Sequence, residues 1–388
     1  MKLKQLTSDF VVEELSSLEF SKDERDHSVY VMEKKEVDTF DAIRTLAQKL
    51  RVPLFEIGYA GLKDKHAWTR QYVSIPTHYH IRDTTVENIT LKHIGFHQKK
   101  IQIGDLNGNT FTIIVRDIKE NELSDIASRA RTLPTDGVPN YFDSQRFGSV
   151  FEGDFVIKHV MKKQYEEAVK SYLTQYLKSE PKRIKDEKRR IKASWGHLEA
   201  LSIRTKPLAR IIHEYHATHN WNSAYKKIPA HLREMHVNAY QSFLWNECVK
   251  EVLKTCILKE RLYPIKYAAG SLLFYTQLYP EERLRIPKTF LTISESASFT
   301  SDEQRIMKKI LGYQNVSLTD FAIEQQTGNF FKARPRDVLL IPEQFRLGLA
   351  EDDELNSSKH TPRFKVCVSL QLPKGSYATL ITKRLFGH

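Results

Sequence analysis

The residues GYAGLKDKHAWTRQYVSIP, 58–76, carry two signals in one run. The second half, RQYVSIP, is rich in β-branched and aromatic residues and stops at Pro76, which predicts a strand. The first half sets a lone carboxylate, Asp64, between Lys63 and Lys65, with His66 and Arg70 close behind. Neighbouring cations lower a carboxylate's pKa and keep it ionised even when partly buried. An ionised, positioned carboxylate can act as nucleophile or base. Solvated turns show the same residue types, so spacing alone leaves both readings open.

Outward from this run, VVEEL (11–15), SVYVMEKK (28–35) and FTIIVRDI (111–118) read as strands. Asp38 or Thr39 caps a helix in which Phe40, Ile43, Leu46, Ala47 and Leu50 recur at helical spacing. ELSDIASRARTL (122–133) carries a second amphipathic helical pattern. HQKKIQIGDLNGNTFTIIVR (97–116) reads as a hairpin that presents Lys99 and Lys100. Helices do not separate all the strands, so a doubly wound parallel sheet is not expected.

The texture changes from about 152 to 335. QYEEAVKSYLTQYL is helical, with Ala168, Val169, Tyr172, Leu173 and Tyr176 on one face, and MHVNAYQSFLWNECVKEVL (235–253) is helical as well. Between them, residues 178–192 hold eight basic residues against three acidic ones, the pattern of a solvated face or of an RNA contact. After Arg334 and Pro335 the strand signal returns. VCVSLQLP (366–373) alternates Val366, Val368, Leu370 and Leu372 against more polar positions. ATLITKRL (378–385) is expected to pair with it through a Pro-Lys-Gly-Ser turn. The expected architecture is α+β, with a mixed or antiparallel sheet domain (1–151 plus 336–388) interrupted by a mainly helical insertion (152–335).

Composition narrows the function classes. The 388 residues are 40% hydrophobic and 28% charged, a globular profile long enough for two domains. Lys and Arg number 60 against 48 Asp and Glu, a net charge of +12 that favours a polyanionic partner. Cys248, Cys256 and Cys367 form no CxxC pair, which argues against a zinc ribbon, an iron–sulfur site or a disulfide framework. There is no GxxxxGK[ST] loop and no GxGxxG, so nucleotide hydrolysis and dinucleotide chemistry lose support. His213, His216 and His219 are three apart but do not form HExxH. No 18-residue apolar run and no signal-peptide core occur, so a cytoplasmic protein without a membrane span is expected. In DGVPNYFDSQRFGS (136–149), Gly and Pro mark irregular backbone that displays Asn140, Arg146 and aromatic rings. Such a loop suits a splayed uracil or an aromatic-packed turn equally.

Taken together, these segments resemble the TruD family of tRNA pseudouridine synthases. SDFVVEE (8–14), GYAGLKDKHAWTRQYVSIP, HQKKIQIGDLNGNTF, GVPNYFDSQRFG, HVNAYQSFLWN (236–246) and PKGSYATLITKRLF (373–386) appear in that order. The resemblance implies a pseudouridine-synthase-type fold with a family-specific insertion domain. It implies that Asp64 is the catalytic aspartate, that Phe10 and Asn140 contact the target nucleotide, and that Tyr377 covers the base. Lys63 and Lys65 are expected to orient Asp64 and hold backbone phosphate, and Arg146 to bind the substrate beside aromatic rings that stack a base. The implied partner is tRNA, modified at uridine 13, with no cofactor, no metal and a monomeric enzyme. Another RNA substrate, or an RNA-folding role on the same scaffold, remains the alternative. A metal- or nucleotide-dependent nuclease lacks its motifs.

Overall fold

The structure, a computed structural model, describes all residues except 152, 178–179, 324–329 and 388. The expected boundary at 152 and the first two residues of the basic run, Lys178 and Ser179, therefore lie outside the described residues. The chain forms two compact units, residues 1–138 with 340–387, and residues 139–339. The fold is α+β.

The first unit is built on a nine-stranded mixed sheet. Its strands are β1 (Phe10–Ser16), β2 (His27–Lys35), β3 (Gly58–Tyr59), β4 (Trp68–Pro76), β5 (Thr84–Val86), β6 (Ile89–His97), β7 (Leu106–Ile118), β8 (Glu343–Asp352) and β9 (Phe364–Pro373). The order is β8-β9-β7-β1-β4-β2-β6-β5, with β3 also on β4. Only β1 and β4 run parallel, over the register Val11 to Trp68 through Glu13 to Arg70. β3 takes up β4 further along, at Ser74 and Val73. A Cβ at Gly58 would stand 2.5 Å from the Ile101 carbonyl oxygen, so only glycine lets β3 lie this close.

Helix α1 (Thr39–Leu50) starts where Asp38 accepts the Phe40 amide and ends at Arg51 in the left-handed region. Ala42, Ile43, Leu46 and Ala47 bury against Tyr30 and Met32 of β2, Val73 and Ile75 of β4, and Leu91 of β6. Each fully buried Ile, Leu, Val or Met side chain here contributes about 1.5–3 kcal/mol, and the alanines less. Phe40, expected on that face, is exposed; it sits in the first turn at the rim of the apolar stripe, with Arg44 over its ring. Val29 and Tyr72 point through the sheet to a second cluster with Ala60, Ile101 and Leu106.

Two local expectations are overturned. β6 and β7 do not form a hairpin: β6 pairs with β2, whereas β7 pairs with β1 and β9. Residues 98–105 cross between them, and the Gly-rich turn serves that crossing. Residues 378–386 form a helix rather than a strand, with Ala378, Leu380, Ile381, Leu385 and Phe386 buried. That spacing fits a helical period better than alternation. This C-terminal helix lies against α2 (Leu123–Asp136), where Arg129 donates to the Leu385 carbonyl.

The second unit is mainly helical. It holds α3 (Val156–Met161), α4 (Tyr165–Thr174), α5 (Lys182–Ala193), α6 (Lys206–Thr218), α7 (Trp221–Lys226), α8 (Ala230–Cys256), α9 (Pro280–Arg285) and α10 (Ser301–Gln314). α8 is 27 residues long, and its apolar face includes Val237, Tyr240, Leu244, Trp245, Cys248 and Val252. An antiparallel ribbon joins residues 262–267 to 270–275.

Candidate active site

Asp64 lies in the loop between β3 and β4, and buried polar groups clamp the backbone of that loop. Along β2, Tyr30, Met32 and Lys34 point inward by strand parity, which leaves Lys34 with no solvent exposure. Its Nζ donates to the carbonyls of Val37 (2.7 Å), Asp64 (2.9 Å) and Lys63 (3.4 Å). Burial, only partly offset by Asp38 and Asp64, lowers its pKa to about 8. Thr39 Oγ1 accepts the Lys63 amide at 2.9 Å, and Gln71 Nε2 donates to the Gly61 carbonyl at 3.0 Å. The loop therefore has its peptide groups satisfied from below and its carboxylate aimed elsewhere.

That carboxylate is ion-paired. Lys4 Nζ bonds Asp64 Oδ2, and the His66 amide donates to Oδ1 at 3.1 Å. Burial alone would raise the Asp64 pKa. The Lys4 pair, the His66 amide and the His66 ring outweigh it, so the group lies below the ordinary 3.8. The same Lys4 ammonium stands 4.1 Å over the centroid of the Phe10 ring, a cation–π contact. Phe10 is buried at the start of β1 and meets Phe111 edge-on. Phe10, Lys4 and Asp64 thus form one contiguous group.

Lys63 and Lys65 diverge. The Lys63 side chain is 4% exposed and ion-paired with Glu14, whose other oxygen, Oε1, accepts the Tyr72 amide at 3.3 Å. Burial raises the Glu14 pKa despite that lysine. Lys63 as it stands offers no cation to a phosphate, and it ties the loop to β1 instead. Lys65 is exposed. Arg70 is spent on Glu13 (2.7 Å) and Glu33 (3.1 Å). Tyr377 is half-buried and opens the C-terminal helix. The turn before it is tethered to the Asp64 loop: Lys374 Nζ donates to the Gly104 carbonyl, and the Gly104 amide to that of Ala60.

The N-terminal arm that delivers Lys4 is itself anchored. Arg116 on β7 donates to Asp9, Asp353 and Glu354, while Asp9 also accepts the Leu6 amide at 2.8 Å. Backbone bonds join Lys2 and Arg116 in both directions.

In the second unit, Asn140 is buried and fully framed. Its Nδ2 donates to the Asp337 carbonyl at 3.1 Å, and its Oδ1 accepts Arg336 at 2.8 Å. Arg336 also donates to the Asn140 carbonyl, and it lies 4.1 Å over the Phe142 ring. The amide retains one N–H and one lone pair beyond those bonds, enough for one base edge. Asn246 of α8 brackets the Phe142 backbone with two 2.9 Å bonds, so the HVNAYQSFLWN and GVPNYFDSQRFG segments meet. Tyr141 and Phe147 are core residues, whereas Arg146 is exposed beside Phe142, 5.5 Å from its centroid.

Lys4, Lys34, Arg336 and Asn246 were not singled out from sequence. Lys34 alone had a local signal, a lysine at an inward position of an alternating strand. Among the described residues no cluster of three or more His, Cys, Asp or Glu side chains could hold a metal ion. Among them, too, no helix is long and apolar enough to cross a membrane.

Comparison with known proteins gives a consistent picture. A family model, tRNA pseudouridine synthase D (TruD), matches residues 1–264. The chain is 39% identical to the probable tRNA pseudouridine synthase D 1 of Methanococcus maripaludis, covering 100% of this chain and 99% of that one. It is 28% identical to the tRNA pseudouridine synthase D of Aquifex aeolicus, covering 100% and 98%. The crystal structure of the putative tRNA pseudouridine synthase D of Methanosarcina mazei superposes with a TM-score of 0.73 at 26% identity, covering 100% and 93%.

Proposed function

Since the chain belongs to the tRNA pseudouridine synthase D family, and is thereby an isomerase, we propose that it converts uridine 13 of tRNA to pseudouridine with Asp64 as its catalytic carboxylate. The observation that carries this is the ion pair of a half-buried Asp64 with Lys4, which keeps the carboxylate ionised on a rigid loop.

The reaction breaks the C1′–N1 bond, turns the uracil and joins its C5 to C1′, with the C5 proton passing to solvent. Asp64 either attacks C1′, forming an ester that the returning uracil displaces, or removes a C2′ proton to give a glycal. Both routes need the anion. The uridine leaves its stack to reach the carboxylate. Phe10 and Tyr377 flank the nucleotide, Asn140 takes the uracil edge, Lys65 and Arg146 contact RNA, and Lys63 positions the loop. The chain acts as a monomer in the cytoplasm without a cofactor, and residues 152–335 act as the family's insertion domain.

The test is tritium release from tRNA transcript labelled at uracil C5, in EDTA without nucleotide, followed by mapping of the product. Wild type should release tritium from tRNA and from no transcript lacking U13; Asp64→Asn should bind and release none. Substantial release by Asp64→Asn would remove Asp64 from its role, and release unaffected by loss of U13 would relocate the target.

A further inference from the structure

The basic run leaves a second surface unexplained by the site above. α5 and the segment after it enclose an open groove of about 500 Å³, lined by Lys182, Arg183, Asp186, Glu187, Arg190 and Arg204. Both carboxylates are engaged, and although Glu187, held ionised, still acts on Arg183, the lining keeps an excess of positive charge. Glu187 is buried, and its two oxygens accept the Arg204 and Thr205 amides at 3.1 Å each. Asp186 is bound by Arg189 at 2.6 Å. Lys182, Arg183, Arg190 and Arg204 are all exposed, and none forms a salt bridge with a described residue. Glu187 thus acts as a strut that holds Arg204 beside α5, so that four cations line one wall.

Such a wall attracts any polyanion, and the aromatic rings beyond α5 select among them. Trp195, two residues past the helix, stacks on Trp221 at 5.4 Å and 14°. Trp221 in turn stacks on Tyr215 at 3.6 Å and 13°. All three rings are half-buried, so each keeps some surface in solvent. Trp221 is covered on both faces by its neighbours and Lys170 stands 5.7 Å from the Trp195 centroid, which leaves the basic track to hold an RNA backbone and only the outer ring edges to meet unpaired bases. An acidic peptide has no use for the rings.

We propose that the groove along α5 is an RNA-backbone site, a contact for the tRNA substrate that the second unit makes outside the catalytic centre. This rests on the reading of the chain as a tRNA-modifying enzyme. Each phosphate that one of the four cations binds releases counterions.

The experiment compares wild type with Lys182→Gln/Arg183→Gln/Arg190→Gln/Arg204→Gln. tRNA affinity is measured from about 50 to 200 mM salt, alongside tritium release at saturating tRNA. The variant should bind at least ~10-fold more weakly, with a salt slope shallower by roughly 3 and an unchanged rate at saturation. In wild type, lysine and arginine labelling read by mass spectrometry should show these four side chains protected by tRNA, which tests the site even if the variant misfolds. Unchanged affinity and slope, absent protection, or equal protection by polyglutamate of matched charge would overturn the proposal. The two readings fail separately. A wild type that releases tritium normally while the variant binds as tightly loses only the groove. A wild type that releases none, with affinity lost in the variant, loses only the modification.

Discussion

Arg116 Nε stands 3.0 Å from each carboxylate oxygen of Asp9, with the side chains 4% and 0% exposed. The pair lies outside the group around Asp64, yet Asp9 and Arg116 are what fold residues 2–9 back so that Lys4 arrives at Asp64. Arg116→Met should cost about 3–5 kcal/mol in urea unfolding, because it strands Asp9 and Asp353 without their guanidinium. It should also lower the turnover of the folded fraction. Full turnover in a destabilised variant would show that the arm holds its place without Arg116.

Lys4→Met should expose the opposition of forces at Asp64. With the ammonium gone, burial dominates and the carboxyl pKa rises. In wild type the folded value lies below 3.8, so the anion and the stability it carries persist above that pH and are lost only below it. Tritium release should therefore show no Asp64 limb above about pH 5 in wild type. In Lys4→Met it should begin to fall at a higher pH than in wild type, along with a slower plateau. Superimposable profiles would mean that Lys4 does not set the ionisation.

Lys34 gives a pH effect of the other kind. The folded protein releases this proton near 8, and the unfolded chain near 10.5. Between those values the unfolded state binds more protons, so stability rises as pH goes from 8 to 10.5. Urea midpoints across that window should climb in wild type and lose this component in Lys34→Met. That variant should also be slower, since the Lys63 and Asp64 carbonyls lose their donor.

Lys63 and Lys65 should separate by salt. Lys63→Met leaves Glu14 buried without its partner, which costs about 3–5 kcal/mol and lowers kcat, with the salt dependence of tRNA binding intact. Lys65→Met should leave stability alone and flatten the salt slope by ~0.7–0.9, the effect of one phosphate contact. A flattened slope in Lys63→Met would return that lysine to the RNA.

The Asn140 frame is testable through Arg336→Lys, which keeps the charge and loses the planar fork. It should cost about 1–3 kcal/mol from unmet acceptors at Asn140 and raise KM for tRNA. Wild-type KM in a destabilised variant would confine Arg336 to stability.

What could be read from the chain depends on the range of the forces involved. Alternation in VCVSLQLP and the capped periodicity after Asp38 are local signals, and β9 and α1 formed where they predicted. ATLITKRL carries the helical spacing, but in a run this short and apolar that period is easily mistaken for a strand, and in the fold the helix packs on α2. The 97–116 segment has the turn chemistry of a hairpin, but β7 found β1 and β9, partners that local rules cannot rank. The acidic residue between two lysines stood out in the sequence. Its true counter-ion, Lys4, is sixty positions away and carries no mark of its own. The same applies to Arg336, which meets Asn140 from nearly two hundred residues downstream.

The pairing of β7 with β9 also sets an order of events at the ribosome. β7 ends at residue 118, and the strand that closes its free edge begins at 364. Some two hundred and forty-five residues must be synthesised while Ile113 and Val115 lack that neighbour. An open edge of this kind invites pairing with other chains, so the last strand seals the nascent protein against aggregation. A chain stopped short of residue 364 would keep every residue of the Asp64 loop and still be a poor solute.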